Sequence, residues 1–310
     1  MSIKEYLKKI IPMPFNSLNS RFEILLNNQE KIYNEITENK KWEEKIYNEI
    51  AENKKWEEKI YNEIIENKKW EEKIYNEITE IKRRENTIQR IASENNWADV
   101  YNSTIEGCDW LRHRKFSPGR WALGYSSLYV LFRVLDDVRP KNILDIGLGQ
   151  STWMISQYAA VDSKVNHTIV EHDPAWIEFF TRDHLLPENS KIIQLALNMT
   201  EFKGAVVREY NSFKETFMDQ KFDMISIDGP FGGDMMNYAR IDVLKMIPGI
   251  LEENFIILLD DTERSGEKNT INEMKAALTE NNINYASGVY SGMKDMTVLC
   301  SESLKFLTTM

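Results

Sequence analysis

The sequence predicts an α/β protein: a Rossmann-like open sheet of seven strands, preceded by a long parallel α-helical coiled coil. Three observations carry this. At Lys141 to Thr152 a short apolar strand runs into a glycine-rich turn and then an apolar helix. Beyond it, strand-like runs alternate with helical ones and end in acids at Glu171, Asp228 and Asp260-Asp261. Ahead of it, the string Glu-Asn-Lys-Lys-Trp-Glu-Glu-Lys-Ile-Tyr-Asn-Glu-Ile starts at Glu38, Glu52 and Glu66, a period of 14 residues.

Composition narrows the class before any element is placed. A chain of 310 residues has room for one full-sized α/β domain and an appendage. A net charge of -10 leaves no excess of Lys and Arg to neutralise phosphates, so no nucleic-acid partner is expected. Cys108 and Cys300 lie far apart with no metal spacing, which suits a reducing compartment. With no apolar run of spanning length, the expected location is cytoplasmic, or peripheral on the inner face of a membrane.

Residues 1–20 gather Ile3, Leu7, Ile10 and Ile11 beside Lys4, Lys8 and Lys9, and the helical pattern stops at Pro12 and Pro14. Such a basic amphipathic segment suits an anionic membrane surface, a partner enzyme such as a glycosyltransferase, or its own protein. Residues 21–94 read as the coiled coil. Ile32, Ile36, Ile46, Ile50, Ile60, Ile64, Ile74 and Ile78 alternate as d and a positions, and Leu25 and Ile81 extend the register. Between them lie polar layers, Asn39, Asn53 and Asn67 at d and Glu43, Glu57 and Glu71 at a, with Trp42, Trp56 and Trp70 at g. No Gly or Pro interrupts the repeat to form a hairpin, so a parallel homo-oligomer of two or three chains is expected. At about 1.5 Å per residue the rod is on the order of 100 Å long. Identical two-heptad units let its length change in fixed steps without loss of register.

Residues 95–310 form the globular part. Arg120, Trp121 and Tyr125 precede an apolar helix, Ser127 to Val138, and are placed to cover a site at the strand ends. The first strand holds Ile143, Leu144 and Ile146. Asp145 lies at the end of the strand itself, Gly147 and Gly149 let the backbone turn and approach a ligand, and Gln150 and Ser151 open the helix. A strand-end acid would repel a pyrophosphate but suits a cationic cofactor, and S-adenosylmethionine carries an ammonium and a sulfonium. The second strand, Asn166 to Glu171, ends in an acid about 20 residues past the turn, where doubly wound folds bind ribose hydroxyls. His172 follows it, and Pro174 opens a helix capped by Asp173. A third strand, Lys191 to Leu195, with Asn198 beyond it, leads to an amphipathic helix through Val206, Tyr210, Phe213 and Phe217. Strands at Phe222 to Asp228 and Phe255 to Asp261, a helix at Thr270 to Glu280, and a closing pair near Asn284 to Tyr290 and Met296 to Cys300 complete the set.

Asp145-Ile-Gly-Leu-Gly149 with Ser151, and Glu171 beyond, resembles the first motifs of the class I S-adenosylmethionine-dependent methyltransferases, whose fold also closes with such a strand pair. The resemblance implies that cofactor, held by Asp145, Gly147, Gly149, Gln150, Ser151, Glu171 and Tyr125. Asp228 with Asp260 and Asp261 resembles the metal-dependent sugar and macrolide O-methyltransferases. That implies a Mg2+ site on these three acids. For the catalytic base or ligand Asp228 is the first choice, Asp260 and Asp261 come next, and His172 is a further base. Those enzymes carry another acid two residues past the first ligand, where this chain has Pro230. Val170-Glu-His-Asp-Pro-Ala-Trp176, Asp228-Gly-Pro-Phe-Gly and Asp261-Thr-Glu-Arg264 are similar to segments of the glucuronoxylan 4-O-methyltransferases, which imply no metal. Arg240 and Arg264 are placed either to bind an acidic sugar or to pair with the acids.

The overall likeness is to methyltransferase-like proteins of bacterial capsule and lipopolysaccharide gene clusters, and the layout resembles O-antigen chain-length regulators. The implied activity is methylation of a hydroxyl on a cell-surface glycan or its precursor, capping a polysaccharide or controlling its length. The alternatives are a non-catalytic coiled-coil scaffold with a degenerate head, and methylation of a small metabolite.

Overall fold

The structure is a computed structural model and describes residues 15–119 and 122–310. Arg120, Trp121 and residues 1–14, with most of the basic amphipathic segment, lie outside the described residues. The chain divides into two units, one ending at Ile81 and the other beginning at Lys82. No helix among the described residues is long and apolar enough to cross a membrane.

One unbroken helix, α1 (Phe15–Thr104), contains the whole repeat, as a proline-free run of good helix formers should. In the unit up to Ile81 its isoleucines stand about half exposed, for example Ile46 at 53% and Ile60 at 54%. From Lys82 onward the helix belongs to the α/β unit and is fixed to it through side chains. Arg90 donates to the carbonyls of Gly292 and Met293, Trp97 Nε1 to Ser291, and Glu94 accepts from the amides of Tyr125 and Met293.

Then come α2 (Tyr125–Arg133), β1 (Asn142–Ile146), α3 (Gln150–Val161), β2 (Asn166–Glu171), α4 (Pro174–Asp183) and β3 (Ser190–Gln194). A hairpin of β4 (Leu197–Phe202) and β5 (Ala205–Tyr210) precedes α5 (Phe213–Phe217), β6 (Phe222–Ile227) and β7 (Leu251–Leu259). The described chain closes with α6 (Ser265–Glu280), β8 (Tyr285–Ser291), β9 (Asp295–Ser301) and a 3-10 turn over Glu302–Thr308.

Seven strands form one sheet in the order β3-β2-β1-β6-β7-β9-β8. The first five positions are parallel and the closing pair is antiparallel. Alternation along each strand divides the core. Ile143, Met224 and Val298 face Leu128, Leu131 and Met154 of α2 and α3, whereas their neighbours Leu144, Ile225 and Leu299 face Phe217, Ile271 and Met274. Each such side chain contributes about 1.5–3 kcal/mol of burial, which secures the register that the site depends on.

One predicted element differs. The helix expected through Val206, Tyr210, Phe213 and Phe217 is the β4–β5 hairpin followed by the short α5. Lys203 and Gly204 both take left-handed φ, 50° and 78°, and turn the chain in two residues. Steps of four, three and four residues suit a helix, but Ala205 and Val207 are buried while Val206 is exposed, the period of a strand.

Candidate functional site

The parallel strands bring their acid-bearing ends to one edge of the sheet, where open α/β folds place their ligands. β1 delivers Gly147 with φ 100°, and a Cβ there would lie 2.9 Å from the carbonyl carbon of Asp228 and the nitrogen of Gly229. The turns after β1 and β6 therefore close directly on one another, backbone to backbone. At Gly149 a Cβ would meet nothing within 4 Å, so the protein's own packing does not require that glycine. It lines a cavity of about 410 Å³, shared with Gly147, Leu148, Gln150, Glu171, His172, Trp176, Tyr210 and Asp228.

Glu171, the last residue of β2, is held by backbone donors. Its carboxylate accepts from the amides of Leu148 at 3.1 Å, His172 at 2.6 Å and Asp173 at 3.0 Å. Trp176 on α4 donates its indole N–H to the Leu148 carbonyl at 2.7 Å, fixing the glycine turn from the other side. The Tyr210 hydroxyl is buried without a protein partner, although its ring lines the cavity. A buried hydroxyl left unpaired costs free energy, so it marks a position where a ligand's polar atom fits.

The cavity thus unites Gly147, Gly149, Gln150, Glu171, His172 and Asp228, but not the remaining sequence candidates. Asp145 is completely buried and turned into the first turn of α3, where Ser151 Oγ donates to it at 3.3 Å and Thr152 Oγ1 at 2.5 Å. It holds the helix start against the strand, and Ser151 is engaged with it there. Tyr125 packs its ring 6.0 Å from Tyr101 and gives its backbone amide to Glu94, so it belongs to the core beneath α1. Asp260 and Asp261 lie behind the wall, at 1% and 2% exposure. Trp176 and Tyr210 carry no site signal in the sequence: the first is an aromatic among helix formers, and the spacing of the second suits a helix face where the chain forms a strand.

The acids at the ends of β6 and β7 do converge. Asp228, Asp260 and Asp261 each place a carboxylate oxygen within 4.8 Å of the others, the spacing a metal would need. Two buried cations already stand among them. Arg240 lies 2.8 Å from Asp261 and 3.3 Å from Asp228, and Lys294 lies 3.4 Å from Asp260 and 3.3 Å from Asp261. Arg264 adds a contact to Asp261 at 2.9 Å. Arg240 and Arg264 thus pair with acids, as one of their two sequence readings allows. Lys294, from the turn between β8 and β9, gave no signal beyond an isolated lysine between two strands. Arg240, Lys294 and Arg264 thus supply positive charge to the same carboxylates that a divalent ion would use, and no step here is routed through such an ion.

Charge balance sets the protonation of the cluster. Burial and the neighbouring Asp260 push the Asp228 carboxyl up to about 8, against the opposing pull of Arg240 and Lys294. Burial likewise raises Asp260. Burial also disfavours ionised Asp261, but Arg240, Lys294 and Arg264 outweigh it and hold that carboxyl below the usual range. Arg240 and Asp261 both have left-handed φ, 57° and 62°. Such conformations cost on the order of 1–2 kcal/mol each and persist where the surroundings impose them.

Asp242 lies beneath the cavity, where its Oδ1 accepts from the Tyr210 amide at 2.8 Å while Oδ2 has no partner. Burial raises this carboxyl to about 7. Its contribution to stability is therefore complete below the ordinary carboxylate pKa and is lost as pH rises through about 7. The melting temperature should fall between about pH 4 and about pH 7 and level off above that, and Asp242→Asn should flatten that slope when both proteins are followed by circular dichroism. Equal slopes would show that Asp242 is ionised throughout.

A parallel open sheet with its cavity at the strand ends defines a Rossmann-like α/β protein. Solved structures similar to this chain include the O-methyltransferase TomG from Streptomyces achromogenes, involved in tomaymycin synthesis and in complex with SAM. It is 14% identical and covers 67% of this chain and 97% of its own, with a TM-score of 0.44. An O-methyltransferase from Bacillus cereus in complex with SAH is 12% identical over 68% of this chain and 91% of its own, with a TM-score of 0.40. The SAH-bound Podospora anserina methyltransferase PaMTH1 is 16% identical over 66% and 86%, with a TM-score of 0.36. At these identities and TM-scores none of them assigns an activity to this chain. No family model and no curated protein matches the sequence.

Proposed function

We propose that this chain is an S-adenosylmethionine-dependent O-methyltransferase whose acceptor is a hydroxyl of a cell-surface glycan or its lipid-linked precursor. The observation that supports it is the cradle at the strand ends. Gly149 leaves open space that the fold itself does not need, Glu171 is oriented by three backbone amides, and the Tyr210 hydroxyl waits without a partner. Glu171 is placed to accept from ribose hydroxyls, and the ring of Trp176 together with Leu148 offers an apolar wall. S-adenosylmethionine, when bound, supplies an activated methyl on its sulfonium. The glycan acceptor rests on the sequence resemblances at Asp228 to Gly232 and Asp261 to Arg264.

Asp228 is the group placed to take the acceptor's proton. It lines the cavity, whereas Asp260 and Asp261 do not, and Arg240 at 3.3 Å steadies its ionised form. A carboxyl raised to about 8 holds a proton more strongly than an ordinary aspartate, which brings it closer to what a base for a hydroxyl requires. The base acts ionised, so turnover should climb with pH through about 8. Asp228→Asn should bind the cofactor within about twofold of wild type and lose about 10²–10⁴ in turnover. The assays are titration calorimetry with S-adenosylmethionine and S-adenosylhomocysteine, and label transfer from the methyl-labelled cofactor into lipid-linked glycans. Absence of binding by the wild-type protein would transfer the reading to the non-catalytic scaffold. Retained turnover in Asp228→Asn would remove Asp228 as base while leaving the cofactor site standing.

A further inference from the structure

The repeat in α1 presents an apolar stripe that its own chain does not cover. Ile46, Ile50, Ile60 and Ile64 are 46–54% exposed, and Trp42 and Trp56 are each 60% exposed. An apolar stripe that recurs over this length on a single helix marks an interaction surface, because helices of this kind draw most of their stability from packing. We infer that its occupant is another copy of this chain, lying parallel and in register. This inference is independent of the methyl-transfer reading.

The argument comes from the residues that flank the stripe. In a parallel coil each g residue faces the e residue five positions on in the next chain. Here that rule pairs Glu35 with Lys40, Glu49 with Lys54 and Glu63 with Lys68 of the second copy, and Trp42 with Tyr47, Trp56 with Tyr61 and Trp70 with Tyr75. Opposite charges and aromatic pairs alternate without a mismatch. None of these six charged side chains has an ion-pair partner within its own chain among the described residues. Lys45, Lys59 and Lys73 instead sit over the Trp42, Trp56 and Trp70 rings, 5.0–5.2 Å from the centroids, on the side away from the stripe. The e-position lysines are therefore left for a second copy.

An antiparallel partner fails the same test. Reversal sets g against g and e against e, which puts Glu opposite Glu and Lys opposite Lys along the flanks. Its one gain is that Asn53 would then face Glu57 in the core, where the parallel arrangement stacks Glu on Glu. The polar layers also restrict register in the parallel form. A slip of one heptad would bring Ile50 against Glu57 and Ile60 against Asn53, whereas a slip of two restores like with like at the loss of a whole repeat of contact. The unshifted pairing keeps every layer matched over the full length.

The test uses the full chain. Sedimentation velocity should show an oligomer at micromolar concentration. The triple variant Lys40→Glu/Lys54→Glu/Lys68→Glu should associate at least tenfold more weakly, and so should Glu35→Lys/Glu49→Lys/Glu63→Lys. An equimolar mixture of the two triples should regain the wild-type assembly. Ile60→Cys in a Cys108→Ser background should form a disulfide with its own copy on mild oxidation, since position 60 faces position 60 only in the parallel, unshifted register. A monomeric wild type, unchanged association of both triples, or an oligomer whose position-60 thiols do not join would each overturn the inference.

Discussion

Gly149→Ala is expected to leave the melting temperature within about 1 °C of wild type and to weaken S-adenosylmethionine binding by tenfold or more, about 1.4 kcal/mol. Gly147→Ala is expected to do something different: lower the melting temperature by several degrees and lose binding as a consequence. The two glycines sit two residues apart in one turn but answer to different constraints. At Gly147 the φ of 100° and the 2.9 Å approach to the Asp228–Gly229 peptide belong to the fold. A methyl group there must push one strand-end turn off the other and adopt a backbone region that side chains avoid, at about 2 kcal/mol or more. At Gly149 nothing of the protein lies within 4 Å of the added carbon, so the methyl meets no clash in the apo fold and intrudes on what the cavity holds. Thermal melts with and without the cofactor, alongside calorimetry, separate the two cases. If Gly149→Ala binds as wild type does, the cavity is not the cofactor's cradle.

The strands and the glycine turn were legible because their signals are local. Ile143 to Ile146 alternate between two cores, and the acids that end β2 and follow β6 and β7 mark where each strand leaves the sheet. The long helix was legible for the same reason, as a period repeated without interruption. What the sequence hid depends on contacts across long separations. Asp145 carries the motif's acid, yet its carboxylate serves Ser151 and Thr152, because a strand-end side chain can turn toward the helix start as readily as toward a ligand. Lys294 reaches Asp260 only because β9 inserts between β7 and β8, and Glu94, Arg90 and Trp97 of α1 then clamp the turn that carries it. Tyr210 was hidden by a spacing that satisfies two periodicities at once. Three aspartates at strand ends look like a cation site in sequence, and only the fold reveals that Arg240 and Lys294 stand beside them.

Arg240→Met is expected to be the most damaging single change in the α/β unit, costing about 3–5 kcal/mol and on the order of 10 °C in melting temperature. The side chain is almost wholly buried and its fork is fully used. Nε donates to the Pro230 carbonyl, one terminal nitrogen donates to the Asp260 carbonyl, and the other donates to the Asp261 carboxylate at 2.8 Å while lying 3.3 Å from Asp228. Methionine fills much of the volume and none of these roles. Asp261 then loses a partner that holds its carboxyl low, and Glu267, 3.8 Å from the Arg240 Nε, is left with Arg264. Lysine should rescue little, since a point charge cannot serve two carbonyls and two carboxylates in one plane. The pH response gives the sign. In wild type the depressed Asp261 carboxyl adds stability that is present above the ordinary carboxylate pKa and is lost as pH falls through its folded value. Without Arg240 the acids keep their protons, so the variant's deficit should shrink on acidification and widen toward pH 8, measured by urea unfolding at pH 5 and pH 8. A deficit that is the same at both would show that Arg240 acts through its backbone contacts and packing, and that the acid cluster balances its charge without it.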